Sequence, residues 1–207
     1  MNFDQKAAGW DTEIRRRRTE ILSGELGDEI DALLGTGPDA LEYGCGTGLV
    51  GLSVADRFSR LTLADSSTEM IRIVREKIEA SGRTNARAIC VDYTKDDIPD
   101  QTYDLIFLSM AMHHVSDVNA LLSVFRDAMR PDGALMIIDL YPVDTKFHEG
   151  ETDFAGHHGF DPEELGRDLA VLGFSRITSR RIYEDVKPVG ETLVPYALFL
   201  LTARKDG

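Results

Sequence analysis

The stretch LEYGCGTGLVG, from Leu41 to Gly51, sets four glycines behind an acidic residue, Glu42. It parses in two ways. Taken as Gly46-Thr-Gly48-Leu-Val-Gly51 it is a literal GxGxxG, the pattern that brings a dinucleotide pyrophosphate to a helix N-terminus. Taken as Glu42-Tyr-Gly44-Cys-Gly46-Thr-Gly48 it is a Gly-x-Gly-x-Gly run that begins two residues after a carboxylate. Either parse needs a strand before the glycines and a helix after them. Residues 40–43 read as that strand and residues 49–58 as that helix. Glycine lets the backbone turn tightly and approach a ligand with no Cβ in the way. Asp65, at the end of the next strand-like run, can accept both hydrogen bonds of a ribose diol in either parse.

Strand and helix patterns alternate on both sides of the loop. Upstream, residues 11–34 carry Ile14, Ile21, Leu22, Leu26, Ile30, Leu33 and Leu34 at helical spacing, and Gly24 and Gly27 divide the run into two short helices. Downstream, RLTLAD (60–65) is a strand. Ser66 and Glu69 stand at capping-box spacing before a helix that stops at Gly82. ARAICVD (86–92) follows, then a polar loop YTKDDIPDQT, and then YDLIFLSM (103–110), a continuous apolar run suited to a strand buried on both faces. A helix over 117–129 leads through the turn RPDG into ALMIIDLY (134–141). Residues 142–160 form a long loop, a length that marks functional segments. Asp161 as N-cap, Pro162 and Gly173 bracket the next helix, and strand-like runs at 174–186 and 196–203 close the chain. This alternation argues for an α/β fold with a parallel sheet and right-handed crossovers.

The 207 residues, 43% hydrophobic and 29% charged, suit one domain: a helical cap over 1–37, a core over 38–141, an active-site loop over 142–160, and a helix with a hairpin over 161–207. A net charge of −13 argues against unaided nucleic acid binding and against an anionic membrane surface. The basic run Arg15 to Arg18 reads as a solvated helix face, with docking of an acidic partner as the alternative. Cys45 and Cys90 are too few for a disulfide scaffold. No uninterrupted apolar run approaches membrane-spanning length, and the N-terminus lacks the apolar core of a signal peptide. Cytoplasmic location without membrane insertion is therefore expected; oligomeric state is not legible.

The second parse gains support from a third acidic residue, Asp92, at the end of the third strand. With it, LEYGCGTG, LADSS, CVDYT, YDLIFLSMAMHHV and RPDGALMIIDL form five blocks in order. This arrangement resembles the class I S-adenosylmethionine-dependent methyltransferases of the small-molecule, type 11/12 kind. The resemblance implies a Rossmann-like doubly wound sheet of about seven strands, mostly parallel, ending in an antiparallel hairpin, with helices on both faces. It implies S-adenosyl-L-methionine as cofactor and S-adenosyl-L-homocysteine as product. It further implies that Asp65 holds the ribose hydroxyls, that Asp92 meets the adenine amino group, and that Glu42 with the Gly44, Cys45, Gly46 and Gly48 backbone borders the methionyl end. Ser66, Met70 and Tyr93 then wall the adenosine, and Ser109 stands at the end of the fourth strand. Met70 can equally be a core residue of its helix. Carboxylates around the site suit a sulfonium cation, where they would repel a pyrophosphate.

All five histidines lie between His113 and His158. Methyl transfer is an in-line displacement that needs nucleophile and methyl held close and aligned, and a neutral imidazole can take a proton from the acceptor. The order of candidates is His114, His113, His148, His158 and His157, with Asp139 as an orienting carboxylate. Their other reading is packing, or the rim of a lid. A metal held by His148, His157 or His158 with Asp144 or Glu149 matches no strong zinc spacing, so no metal is expected. The nucleic acid amino-methylating enzymes of this fold carry Asn or Asp followed by Pro-Pro and an aromatic where this chain has SMAMHH. A small-molecule acceptor and no nucleic acid partner are expected, with Met110, Met112, Phe147, Phe154 and Phe160 as its apolar surroundings. Two alternatives stand: an NAD(P)-dependent oxidoreductase and a non-enzymatic cofactor-binding sensor or scaffold. The pair Tyr183 and Lys187 suits the former only on a helix. In the strand-like segment where it lies the two side chains are roughly 13 Å apart.

Overall fold

The computed structural model describes residues 3–35, 37–96, 102–151 and 154–207. In chain order its main elements are α1 (Glu13–Leu34), β1 (Asp39–Tyr43), α2 (Leu49–Val54), β2 (Arg60–Asp65), α3 (Thr68–Ser81), β3 (Ala86–Cys90) and β4 (Tyr103–Ser109). There follow α4 (Val118–Ala128), β5 (Met129–Leu140), α5 (Pro162–Val171), β6 (Phe174–Val189) and β7 (Thr192–Lys205). The strands form one sheet in the order β3-β2-β1-β4-β5-β7-β6. β1 to β5 pair in parallel, and β7 runs antiparallel between β5 and β6.

The apolar run of β4 is continuous because both of its faces are buried. Leu105 and Phe107 join a core layer with Leu26 and Ile30 of α1, Val54 of α2 and Val74 of α3. Ile106 and Leu108 point the other way, into a layer with Leu121 and Phe125 of α4 and Leu169 of α5. Side chains alternate across a strand with a period of two, so a sheet covered on both sides needs apolar residues at every position. β5 repeats the scheme, with Met136 and Ile138 on one face and Leu135 and Ile137 on the other.

The chain winds outward from β1 through β2 to β3, then crosses back to β4 on the other side of β1. The strand order therefore reverses between β1 and β4, and a crevice opens beyond their carboxyl ends, where open α/β sheets bind ligands. At the opposite end Asp39 is held by Arg60 and Arg130, which keep its carboxylate near pKa 2 although partial burial opposes them.

Four expectations are corrected. Residues 13–34 form one helix, because Leu22, Leu26 and Ile30 pack as one buried stripe across both glycines and Arg57 lies over Gly27. Packing of that stripe outweighs the roughly 1 kcal/mol that each interior glycine costs. β3 ends at Cys90, so Asp92 lies two residues beyond the strand and not at its end. The N-cap of α3 is Ser67, whose hydroxyl accepts from the Met70 N–H, so the cap stands one residue beyond Ser66. β5 to β7 are longer than expected, since RPDG lies within the β5 ladder through an irregular register against β4, and the hairpin pairs Pro188 with Leu193. Within the long loop, Thr145–His148 make a 3-10 turn; Thr152 and Asp153 lie outside the described residues.

Candidate active site

The glycine loop leaves β1 at Tyr43 and enters α2 at Leu49, and two of its glycines are required by contacts within the protein. A Cβ on Gly44 would overlap that of Ala111, which follows β4, and Gly44 has φ 69°. A Cβ on Gly51 would overlap the Glu42 carboxyl, whose Oε2 accepts the Gly51 N–H at 3.1 Å. The third glycine of the GxGxxG parse thus makes room for Glu42. Glu42 is fully enclosed. Burial pushes its pKa up to about 8, against the Gly51 hydrogen bond and with the nearby Asp65 adding to the rise.

Beyond β1, β2 and β4 lies a cavity of about 300 Å³, at the low end of the roughly 300–1,000 Å³ of small-molecule sites. Asp65, Ser66 and Met70 form one side, Asp92 and Thr94 another, and Gly44, Gly46 and Tyr43 the floor. Asp65 accepts from the backbone N–H groups of Gly46 at 2.8 Å and Ser67 at 2.9 Å. Burial raises its pKa and those two bonds oppose the rise. A carboxylate has about four acceptor sites, so it retains acceptor capacity toward the cavity. Asp92 is partly buried, which pushes its pKa up; hydrogen bonds from Lys95 and Thr94 outweigh this and hold it below the usual carboxylate range.

The remaining expected residues fall elsewhere. Cys45 packs into the core, its pKa raised by burial. Gly48 is the left-handed N-cap of α2, against Leu52 and Val74. Tyr93 is buried behind the cavity, stacked on Tyr43 at 5.5 Å, and it is Tyr43 that reaches the wall. Ser109 borders a small recess beside Glu42 and Cys45. A cap was expected over 1–37, and the residues of it that close over the cavity, Phe3 and Trp10, were not singled out in the sequence. Asp4 ties that segment down by accepting from Ser67 and from the Glu69 N–H, and Asp11 does so by accepting from Thr47 and Lys77. The one signal available in the sequence was a single tryptophan in a polar segment.

A second cavity, of about 690 Å³, lies between α1 and the end of the β6–β7 hairpin. Trp10, Met110 and His114 line both cavities and form the wall between them. Met110 has φ 56°, a left-handed conformation costly for a non-glycine residue and concentrated at functional sites. His113, 3% exposed, lines the larger cavity. Its Nδ1 bonds to Asp139 Oδ1 at 2.6 Å, and its N–H donates to Asp139 Oδ2 at 3.2 Å. Burial of Asp139 opposes ionisation, but the contacts with His113 and the Leu140 N–H hold its pKa below the usual range.

The histidines separate on geometry. Burial drives the pKa of His114 down to about 3, so its ring, edge-on to Phe3 at 5.2 Å, is neutral. His148 is also held low, at about 4, by burial; it stacks on Phe154 at 3.9 Å and bonds to His158 at 3.1 Å, behind the cavity wall. The His157 backbone N–H donates to the His113 carbonyl. Among the described residues no three His, Cys, Asp or Glu side chains converge as metal ligands. Of the apolar candidates, Met110 and Phe147 line the larger cavity, Met112 is core, and Phe160 borders a separate groove. Tyr183 and Lys187 lie on β6, the phenol donating to Asp185 and the ammonium to the Phe147 carbonyl. No helix of the described residues is long and apolar enough to cross a membrane.

Residues 40–133 match a methyltransferase domain family. A malonyl-[acyl-carrier protein] O-methyltransferase of Laribacter hongkongensis is 28% identical over 212 residues, covering 91% of this chain and 69% of its own. The chain spans about half the length of other curated relatives it matches, such as 51% of an uncharacterized methyltransferase of Schizosaccharomyces pombe. Among solved structures, a SAM dependent methyltransferase from Aquifex aeolicus superposes with a TM-score of 0.68 at 20% identity, over 96% of this chain and 97% of the other. Phosphoethanolamine N-methyltransferase 2 of Haemonchus contortus, in complex with S-adenosyl-L-methionine, gives 0.71 at 14% identity, over 88% and 53%.

Proposed function

We propose that the chain is a class I S-adenosylmethionine-dependent methyltransferase, a reading supported by the domain match and the similar methyltransferases, and that it methylates a small-molecule acceptor, with the cofactor in the smaller cavity and the acceptor in the larger. The observation that carries this reading is the shared wall: Trp10, Met110 and His114 line both cavities, so ligands in the two would meet beside them. Asp65, Asp92, Ser66 and Met70 are the residues to hold an adenosine, and Gly44 and Gly46 of the glycine loop the residues beside an amino acid end, with Glu42 outside the cavity lining. When bound, S-adenosylmethionine supplies an electrophilic methyl group.

The protein contributes position and a proton acceptor. His113 is the better placed base, which reverses the order expected from the sequence. Asp139 engages Nδ1, so in the tautomer that donates to this carboxylate Nε2 is the nitrogen left to accept a proton. His114 acts as neutral packing that keeps water from the junction of the cavities. General bases contribute about 10²- to 10⁴-fold. In an assay of labelled methyl transfer to a panel of small acids, phenols and amines, His113→Ala and Asp139→Asn should each lower turnover by about that factor and leave cofactor affinity intact. A His113→Ala protein of full activity would remove the base from this scheme.

A further inference from the structure

We infer that the larger cavity takes an acceptor bearing an anionic group, a carboxylate or a phosphate, on an apolar body, and that Arg17 and Arg18 of α1 bind the anion. The inference rests on the reading of that cavity as the acceptor site. Ile14, Arg17, Arg18 and Ile21 stand at i, i+3, i+4 and i+7, one stripe of the helix, and all four line the cavity. The stripe by which α1 packs on the core is a different one, with Leu22, Leu26 and Ile30. Two isoleucines held 66% and 42% exposed, with two guanidinium groups between them, therefore form a wall that the other described residues leave open.

The charges around this wall are unevenly committed. Among the described residues three carboxylates face the cavity: Glu151 pairs through Oε1 with Lys187 at 3.4 Å while its Oε2 is buried without a partner, Glu184 pairs with Arg181, and Asp185 accepts from the Tyr183 hydroxyl at 2.7 Å. Arg15 donates to the Trp10 carbonyl and lies over the indole at 3.9 Å. Arg17 and Arg18 have no carboxylate within ion-pair distance among the described residues; Asp185 feels them only at longer range. In a chain of net charge −13 such a cationic wall is a local exception. A guanidinium pair matches carboxylate and phosphate oxygens in bidentate geometry, and Ile14, Ile21 and Val186 offer apolar contact beside it. Arg18 also borders the recess beside Glu42 and the glycine loop, whereas Arg17 does not. Arg17 is therefore the cleaner probe of the acceptor.

The test titrates S-adenosylhomocysteine-loaded protein with phenyl phosphate, with 4-phenylbutyrate and with the uncharged 4-phenylbutyramide, following the fluorescence of Trp10, the one tryptophan, which lines both cavities. At least one anion should bind about tenfold or more tightly than the amide, the scale of one charge-assisted hydrogen bond, and the tighter of the two names the anion. Arg17→Ala should lose that preference. Arg16→Ala, which removes the same charge from outside the cavity lining, should keep it, and both variants should bind S-adenosylhomocysteine like wild type. Equal binding of amide and anions, no binding of either anion at millimolar concentration, or an Arg17→Ala variant that behaves like Arg16→Ala would overturn the inference. Anion binding by protein that fails to take S-adenosylhomocysteine would instead overturn the methyltransferase reading and leave the anion site standing.

Discussion

Glu42 sits at the closest point between the glycine loop and the core, and its proton is a measurable quantity. Its folded pKa of about 8 lies above its ordinary 4.5, so its contribution to stability is full below pH 4.5 and is lost as the pH rises through about 8. Glu42→Gln cannot ionise. In urea denaturation of ligand-free protein, wild type should lose more stability than this variant between pH 6 and 9; parallel curves would show that Glu42 titrates normally. Gly51→Ala would push a methyl group into the Glu42 carboxyl and Leu63. It should cost about 1–3 kcal/mol, as overpacking does, read as a shift in denaturation midpoint. At this scale the sequence was informative in pointing to Asp65 and Asp92, which line one cavity, and to glycines where a Cβ has no room. It was silent where three-dimensional neighbours decide. Nothing in the adjacent pair His113 and His114 tells which one meets Asp139, and an unbranched methionine at Met110 gives no hint of a positive φ.

Among the elements, α1 departs furthest from its sequence pattern. Local propensity put breaks at Gly24 and Gly27, yet the helix runs through both, because one buried stripe gains more by continuing than the glycines lose. Gly24 has nothing within 4 Å of the place its Cβ would occupy. Gly24→Ala should therefore stabilise the protein by about 0.5–1 kcal/mol, whereas Gly27→Ala meets the Arg57 guanidinium and should not; equal effects in thermal unfolding would deny the difference. The apolar pattern of α1 also includes Ile14 and Ile21, which are exposed. Helical periodicity reports that a face is apolar and does not report whether protein or ligand covers it. Strands were easier, since a sheet covered on both faces writes itself as apolar runs, and β2 was legible to the residue. The hairpin strands β6 and β7 were read short because Pro188 and Pro195, near the turn, interrupt the strand pattern.

At the scale of the whole molecule, the sheet order turns back at β1 and everything chemical gathers at that reversal: the glycine loop, Asp65, Asp92, Met110 and the His113–Asp139 pair all stand at or just beyond strand ends on one edge. Topology assembles them. That is why five short blocks scattered through the sequence could suggest one site, and why Phe3 and Trp10 could not be singled out within the N-terminal cap, since no strand end leads to them. The most direct measurement is calorimetric titration of wild type and Asp65→Ala with S-adenosylmethionine, S-adenosylhomocysteine and reduced nicotinamide cofactors. The account predicts binding of both sulfur compounds by wild type, their loss by about tenfold or more in a folded Asp65→Ala protein, as expected when a hydrogen-bonded carboxylate is removed, and no nicotinamide binding. Undiminished affinity in that variant, or nicotinamide binding in its place, would contradict it.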